Sequence, residues 1–126
     1  MNETKAIMTT DVKTVGRRTA IYDALEILLE NDITGLPVVN DDKMLIGIIT
    51  EKDILKLLSV LENDSAIVED FMTNEVVSFD QEEDFIRICE CLIRNHFRRI
   101  PITSQGKLTG IISRKDIIRY ILDPIG

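Results

Sequence analysis

Apolar residues at Ile21, Ala24, Leu25, Leu28 and Leu29 fall at i, i+3, i+4, i+7 and i+8, and Phe85, Ile88, Cys89, Leu92 and Ile93 repeat that spacing. Each stripe predicts an amphipathic helix. A short β-rich run follows each helix, LPVV from Leu36 or IPIT from Ile100, then a polar turn, NDDK or SQGK, and a second β-branched run, LIGIIT or LTGIIS. This order predicts a hairpin in each half. Ile54, Leu55 and Leu58 match Ile117, Ile118 and Ile121 as the apolar edge of a closing helix, and Pro124 stops the second one. Extended segments at Val12 to Val15 and Val76 to Phe79 lead into the halves. The predicted order is strand, helix, strand, strand, helix, written twice.

The two halves are copies. A shift of sixty-four residues superimposes Met8-Thr9 on Met72-Thr73, Val12 on Val76, Asn31 on Asn95 and Pro37 on Pro101. One deletion in the loop before Leu108 changes the shift to sixty-three and aligns Gly47, Ile48, Ile49, Thr50, Lys52 and Asp53 with Gly110, Ile111, Ile112, Ser113, Lys115 and Asp116. A tandem repeat follows, with copies at residues 1–61 and 71–126 and a linker at 62–70. A unit of this size buries little alone, so the expectation is one α+β (α/β) domain in which the copies pack sheet to sheet with approximate internal two-fold symmetry.

Composition narrows the class. The chain has 126 residues, 44% of them apolar and 29% charged, which fits a folded globular protein. No apolar run approaches the roughly 20 residues of a membrane span, and the start lacks a basic segment followed by an apolar one, so a cytoplasmic protein without membrane contact is expected. The net charge of −7 opposes nucleic-acid binding. Its distribution is uneven: Leu57 to Ile86 carries nine acidic residues and no basic one, whereas Arg87 to Arg119 carries eight basic and two acidic. Arg98, Arg99, Arg114 and Lys115 fall at predicted element ends, where an anion can be held. Cys89 and Cys91 point to different sides of a helix, a poor disulfide and a poor metal site, and Cys89 stands where the first copy has Leu25, which predicts a small buried apolar residue. His96, the single histidine, has no partner at a ligand spacing and is expected simply to end a helix.

The repeated stretch is GIITEKDIL from Gly47 and GIISRKDII from Gly110. Thr50 or Ser113 closes a strand, and an aspartate follows three residues later in the first turn of a helix. That spacing is a capping box, with roughly 0.5 to 2 kcal/mol at stake in the hydroxyl cap.

The two Met-Thr pairs, the strands LPVV and IPIT and the duplicated Gly-hydrophobic-hydrophobic-[Ser/Thr]-x-x-Asp signature occur in one order over nearly the whole chain. In this the chain resembles a CBS-domain pair, or Bateman module. The resemblance implies two β-α-β-β-α units joined through their sheets, and two clefts that in many members bind AMP, ADP, ATP or S-adenosylmethionine. It also implies association into homodimers and regulation of a fused or partner protein, here an unidentified effector, with no cofactor required. An ionised carboxylate accepts hydrogen bonds from the vicinal hydroxyls of a ribose, and a helix N-terminus with its Ser or Thr can face phosphate. By resemblance Asp53 and Asp116 bind ribose, with Thr50 and Ser113 beside the phosphate. The residue pattern alone keeps pure capping open beside this reading.

The resemblance builds each cleft from both copies. The cleft of Asp116, Ser113 and Lys115 would take Val12, Lys13, Ile33, Thr34 and Gly35, small and apolar enough for adenine, and Arg98 near the phosphate. The cleft of Thr50, Lys52 and Asp53 would take Val76, Val77, Phe97, Arg98 and Arg99. Arg98-Arg99 replaces Thr34-Gly35 there, so this second cleft is more crowded and more basic; the arginines either fork onto phosphates or pair with acids such as Asp53. The Asp116 cleft is the preferred site.

An enzyme is not expected. The sequence contains neither GxxxxGK[ST] nor GxGxxG, and no serine has a histidine in a pattern that would make it a nucleophile. The competing class is a ligand-free structural or dimerisation module, for which the repeated apolar helix edges provide surface.

Overall fold

The computed structural model describes residues 3–56 and 65–124. The elements are α1 (Glu3–Ile7), α2 (Ile21–Glu30), β1 (Gly35–Val39), β2 (Leu45–Thr50), α3 (Glu51–Leu55), β3 (Phe79–Asp80), α4 (Phe85–Asn95), β4 (Arg99–Ser104), β5 (Lys107–Ser113) and α5 (Arg114–Leu122), with a 3-10 turn at Val68–Asp70. This is the mixed α/β architecture of two tandem repeats. Leu58 and the linker residues Glu62 to Asp64 lie outside the described residues.

Both hairpins form as read. β1 and β2 pair antiparallel with Pro37 opposite Ile48, and β4 and β5 pair antiparallel with Pro101 opposite Ile111. The missing residue of the second copy falls in the turn. Asn40 Oδ1 accepts from the backbone N–H of Asp42 and Met44 to organise the first loop. In the second, Gln105 and Gly106 both take positive φ, at 53° and 82°, the demand of a two-residue hairpin turn and the reason a glycine stands there. Each hairpin carries a bulge at the equivalent place, between Val38 and Val39 and between Ile102 and Thr103. The lead-in strands are slighter than expected. Val15 makes one parallel bridge to Val38, and Phe79–Asp80 adds a two-residue parallel strand beside β4.

The chain divides into two compact units, and these do not simply follow the repeats. One is Lys13–Val76; the other joins Met1–Val12 to Val77–Gly126. The first twelve residues therefore group with the second repeat. In the Lys13–Val76 unit, Ile21, Ala24 and Leu28 of α2 are buried with Leu36, Val38, Ile49, Ala66 and Val68. In the other, Phe85, Ile88 and Leu92 of α4 are buried with Ile100, Ile102 and Ile112. Each buried Val, Leu, Ile or Phe among them contributes about 1.5–3 kcal/mol of transfer free energy, so these clusters hold the helices on their hairpins.

The apolar stripes are wider than the cores. Leu29 is 84% exposed and Ile93 74%, although both belong to the repeating pattern, because the eighth residue after the first turn has rotated off the buried face. Leu55, Ile118 and Ile121 on the closing helices are also exposed. His96 ends α4 in the left-handed conformation, φ 56°, as a helix-ending residue. Cys89 and Cys91 are free thiols, both packed at the edge of the α4 core.

Candidate functional site

The repeated signature places a strand end, a helix start and a glycine at one corner of each unit. At the β5–α5 junction the Ser113 backbone N–H donates to Asp116 Oδ2 at 2.8 Å, and Ser113 Oγ accepts from the Asp116 N–H at 3.3 Å. At the β2–α3 junction the Thr50 N–H donates to Asp53 Oδ2 at 3.0 Å. Both hydroxyls also donate to the same carboxylate oxygen, Thr50 at 3.0 Å and Ser113 at 3.1 Å. The capping box is complete at Ser113, whereas at Thr50 the carboxylate half is made and the hydroxyl donates to Asp53 without accepting from the helix.

Each carboxylate has a second duty that its spacing does not announce. Thr9 Oγ1 donates to Asp116 Oδ1 at 3.1 Å, and Thr73 Oγ1 donates to Asp53 Oδ1 at 3.0 Å. Backbone bridges bring these threonines in: Thr9 pairs antiparallel with Ile111, and Thr73 with Ile48. The preceding methionine lies over the glycine that opens the signature. A Cβ added to Gly110 would stand 2.6 Å from Met8 Sδ and 3.0 Å from the Thr9 carbonyl oxygen; at Gly47 the corresponding distances are 2.9 Å to Met72 Sδ and 3.0 Å to the Thr73 oxygen. Only glycine leaves room. Met-Thr and Gly…Asp are thus two halves of one clip, and the pairing is crossed: the Met-Thr of the first copy closes on the signature of the second, and that of the second on the first.

The carboxylates are buried, Asp53 at 1% exposure and Asp116 at 5%, and a surface cation completes each. Lys56 Nζ lies 3.3 Å from Asp53 Oδ1, and an Arg119 guanidinium nitrogen 3.2 Å from Asp116 Oδ1. Asp116 also borders a pocket of about 480 Å³ walled by Ala6, Ile7 and Thr9 on one side and by Arg119, Tyr120 and Leu122 on the other. Tyr120 is fixed there by donating to Glu3 at 2.7 Å, a bond that raises the phenol's pKa above its ordinary value.

The residues expected to bind fall into both units. Val12, Val77, Phe97, Arg98, Arg99, Ser113, Lys115 and Asp116 belong to the unit containing α5, and Lys13, Ile33, Thr34, Gly35, Thr50, Lys52, Asp53 and Val76 to the unit containing α3. Within the former, the Arg114 backbone N–H donates to the Arg98 carbonyl at 3.3 Å and Arg114 Nε to the Phe97 carbonyl at 3.0 Å. The Phe97-Arg98 loop is thereby tied to the start of α5, where Arg98 and Lys115 are exposed. In the latter, Gly35 opens β1 opposite Thr50. Thr9, Thr73 and Arg119 were not foreseen as partners of the aspartates. The available signal was the repeated Met-Thr pair itself. Among the described residues no cluster of three or more His, Cys, Asp or Glu could hold a metal, and no helix is long and apolar enough to cross a membrane.

The profile of the CBS domain matches twice, at residues 5–60 and 68–123. The chain belongs to the CBS-domain family. A relative, the protein MJ1225 of Methanocaldococcus jannaschii, is 32% identical over 93% of this chain, and the aligned region spans only 42% of that longer protein. Among solved structures, CBSX2 in complex with AMP superimposes with a TM-score of 0.85 at 31% identity, covering 94% of this chain and 95% of that one. The CBS pair of MJ0100, in complex with 5′-methylthioadenosine and S-adenosylmethionine, gives 0.78 at 26% identity over 94% of each chain.

Proposed function

We propose that this CBS pair is a non-catalytic regulatory module that binds an adenosine compound, AMP, ADP, ATP or S-adenosylmethionine, and signals its presence to a partner or fused protein. The observation that carries the reading is the buried Asp116 carboxylate at the start of α5, with Arg98 and Lys115 exposed near the same helix start; of the residues expected to bind, Asp116 alone lines the neighbouring pocket. Its likeness over nearly its whole length to pairs solved with AMP and with S-adenosylmethionine supports the ligand class.

The geometry sharpens how such a ligand is held. Ser113 spends its hydroxyl hydrogen on Asp116, so phosphate recognition falls to Arg98 and Lys115, which have donors free to turn outward. Arg119, with its side chain 72% exposed, is the donor that a ribose diol displaces most readily from Asp116. A ligand regulates only if it prefers one conformation, and displacement of Arg119 supplies such a preference.

A thermal-shift panel with AMP, ADP, ATP, S-adenosylmethionine and adenosine tests the reading. At 100 times its dissociation constant a bound ligand stabilises the protein by about 2.7 kcal/mol. Arg98→Ala with Lys115→Ala is expected to erase the advantage of AMP over adenosine while leaving the protein folded. No shift with any adenosine compound overturns the proposal in favour of a ligand-free scaffold, the reading that the fully bonded state of both aspartates favours.

We propose in addition that the pair associates with a second copy. Leu29, Ile86, Ile93, Ile118, Ile121 and Leu122 are all more than half exposed, an amount of apolar helix surface that suits an interface.

A further inference from the structure

Arg114 holds two consecutive carbonyls. Its backbone N–H donates to the Arg98 carbonyl at 3.3 Å and its Nε to the Phe97 carbonyl at 3.0 Å. Arg99 opposite Ser113 is the last rung of the β4–β5 hairpin, so the backbone bond carries that ladder one step past the strands and the side chain then takes hold of the residue before. The loop held in this way is short, His96 to Arg98, between the end of α4 and the start of β4. His96 turns the chain through a φ of 56° and Phe97 packs half-buried against the α4 core, which leaves Arg98 exposed. On the opposite strand the corner is fixed by the Ser113 N–H on Asp116 Oδ2 at 2.8 Å. Arg98 is therefore tied, through Arg114, to the corner that carries the Asp116 carboxylate. All of these residues belong to the unit containing α5.

The first copy lacks both halves of the arrangement. Thr34 stands where Arg98 does, and Glu51 where Arg114 does. An ionised carboxylate only accepts hydrogen bonds, so Glu51 has nothing to donate to the carbonyl of Ile33, the counterpart of Phe97. The exposed arginine and the residue able to hold its loop thus occur together in one copy. Ordering a loose loop and a long side chain subtracts from the attraction of an arginine for an anion, whereas a loop already held leaves only the side chain to be ordered.

The geometry points to Arg114 as a positioning residue for phosphate recognition: it holds the Phe97 and Arg98 carbonyls so that the Arg98 guanidinium is presented to the anion, and does not touch the ligand itself. The inference rests on the reading of this pair as an adenosine-nucleotide module in which Arg98 meets the phosphate. The tie should then matter to AMP and not to adenosine.

Isothermal titration calorimetry of the full chain with AMP and with adenosine tests it. Two substitutions separate the bond from the charge. Gln Nε2 lies as many bonds from Cα as Arg Nε, so Arg114→Gln keeps a donor for Phe97 and loses the charge, whereas Arg114→Met, of similar length, keeps neither. Arg114→Met is expected to weaken AMP about fivefold and adenosine by less than about twofold, and Arg114→Gln to leave both within about twofold of wild type. With Arg98→Ala already in place, Arg114→Met should weaken AMP by less than about twofold more, because the arm it holds is gone. Without ligand, the Arg114 backbone N–H should exchange its hydrogen faster in the Met variant than in the Gln variant. A Gln variant as weak as the Met variant assigns the effect to charge. A Met variant as harmful beside Arg98→Ala as alone puts Arg114 on the phosphate, and one that binds AMP like wild type, or that loses adenosine as much as AMP, removes any positioning role; each of these overturns the inference while leaving nucleotide binding standing. A wild-type chain that binds AMP no better than adenosine, or binds neither, overturns the phosphate reading and this role with it.

Discussion

The Asp53 corner and the Asp116 corner are made from the same four parts, a methionine over a glycine and a threonine hydroxyl on a carboxylate, yet their surroundings have diverged. Asp53 takes Thr73 on both oxygens, at 3.0 and 3.2 Å, and is almost sealed. Asp116 takes Thr9 on one oxygen and borders an open pocket. Thr34-Gly35 in one copy corresponds to Arg98-Arg99 in the other, and Glu51 to Arg114. The interior clip tolerates little change because each part is shaped by the other three. The surface is under no such constraint, and that is where the copies have parted.

The largest effect is expected from the carboxylates. Asp53→Ala removes the acceptor of four donors and should cost about 3 kcal/mol in urea unfolding, with Asp116→Ala somewhat less because its corner borders an open pocket. Equal, small losses would mean that the clips do not hold the fold. Next come the glycines. Gly47→Ala and Gly110→Ala press a methyl against a backbone oxygen that cannot retreat and should each cost about 2 kcal/mol, with Gly110 the worse because Met8 lies closer. An alanine tolerated at Gly110 but not at Gly47 would reverse that ranking. Lys56→Ala and Arg119→Ala should change stability by less than about 0.5 kcal/mol, since both cations are exposed. If Arg119→Ala also left adenosine binding weaker, its assignment as a displaceable donor would fail.

The smallest effect concerns the position where Leu25 and Cys89 correspond. Burial, followed by the charges of Glu3 and Asp84, pushes the Cys89 thiol above its ordinary pKa. It should therefore stay protonated near pH 8 and alkylate more slowly than an exposed model thiol, as peptide mass mapping would show. Rapid alkylation would place Cys89 outside the core edge assigned to it.

Much of this was legible along the chain. Seven-residue apolar spacings gave both long helices, β-branched runs flanking polar turns gave both hairpins, and a hydroxyl three residues before an acid gave both caps. These are local patterns, and local geometry decides them. The clips were not legible, because Thr9 and Asp116 are 107 residues apart and an alignment of copies says only that Met8 equals Met72, not which strand each segment joins. The five residues of α1 are too few for a helical period to show. Leu29 and Ile93 read as core because an apolar stripe looks the same whether its last member turns inward or toward solvent.

The crossed clips give the chain a direction in time. Thr73 and Asp53 are separated by 20 residues, and everything in the Lys13–Val76 unit has left the ribosome once Val76 has. The other unit needs the first residues synthesised and nearly the last, so its N-terminal segment waits, unpaired, until β5 and α5 appear. Folding during synthesis should therefore proceed from the middle of the chain outward. A nascent chain stalled once Val76 has emerged from the ribosome should already protect Asp53's clip while Met8 and Thr9 remain open to a protease.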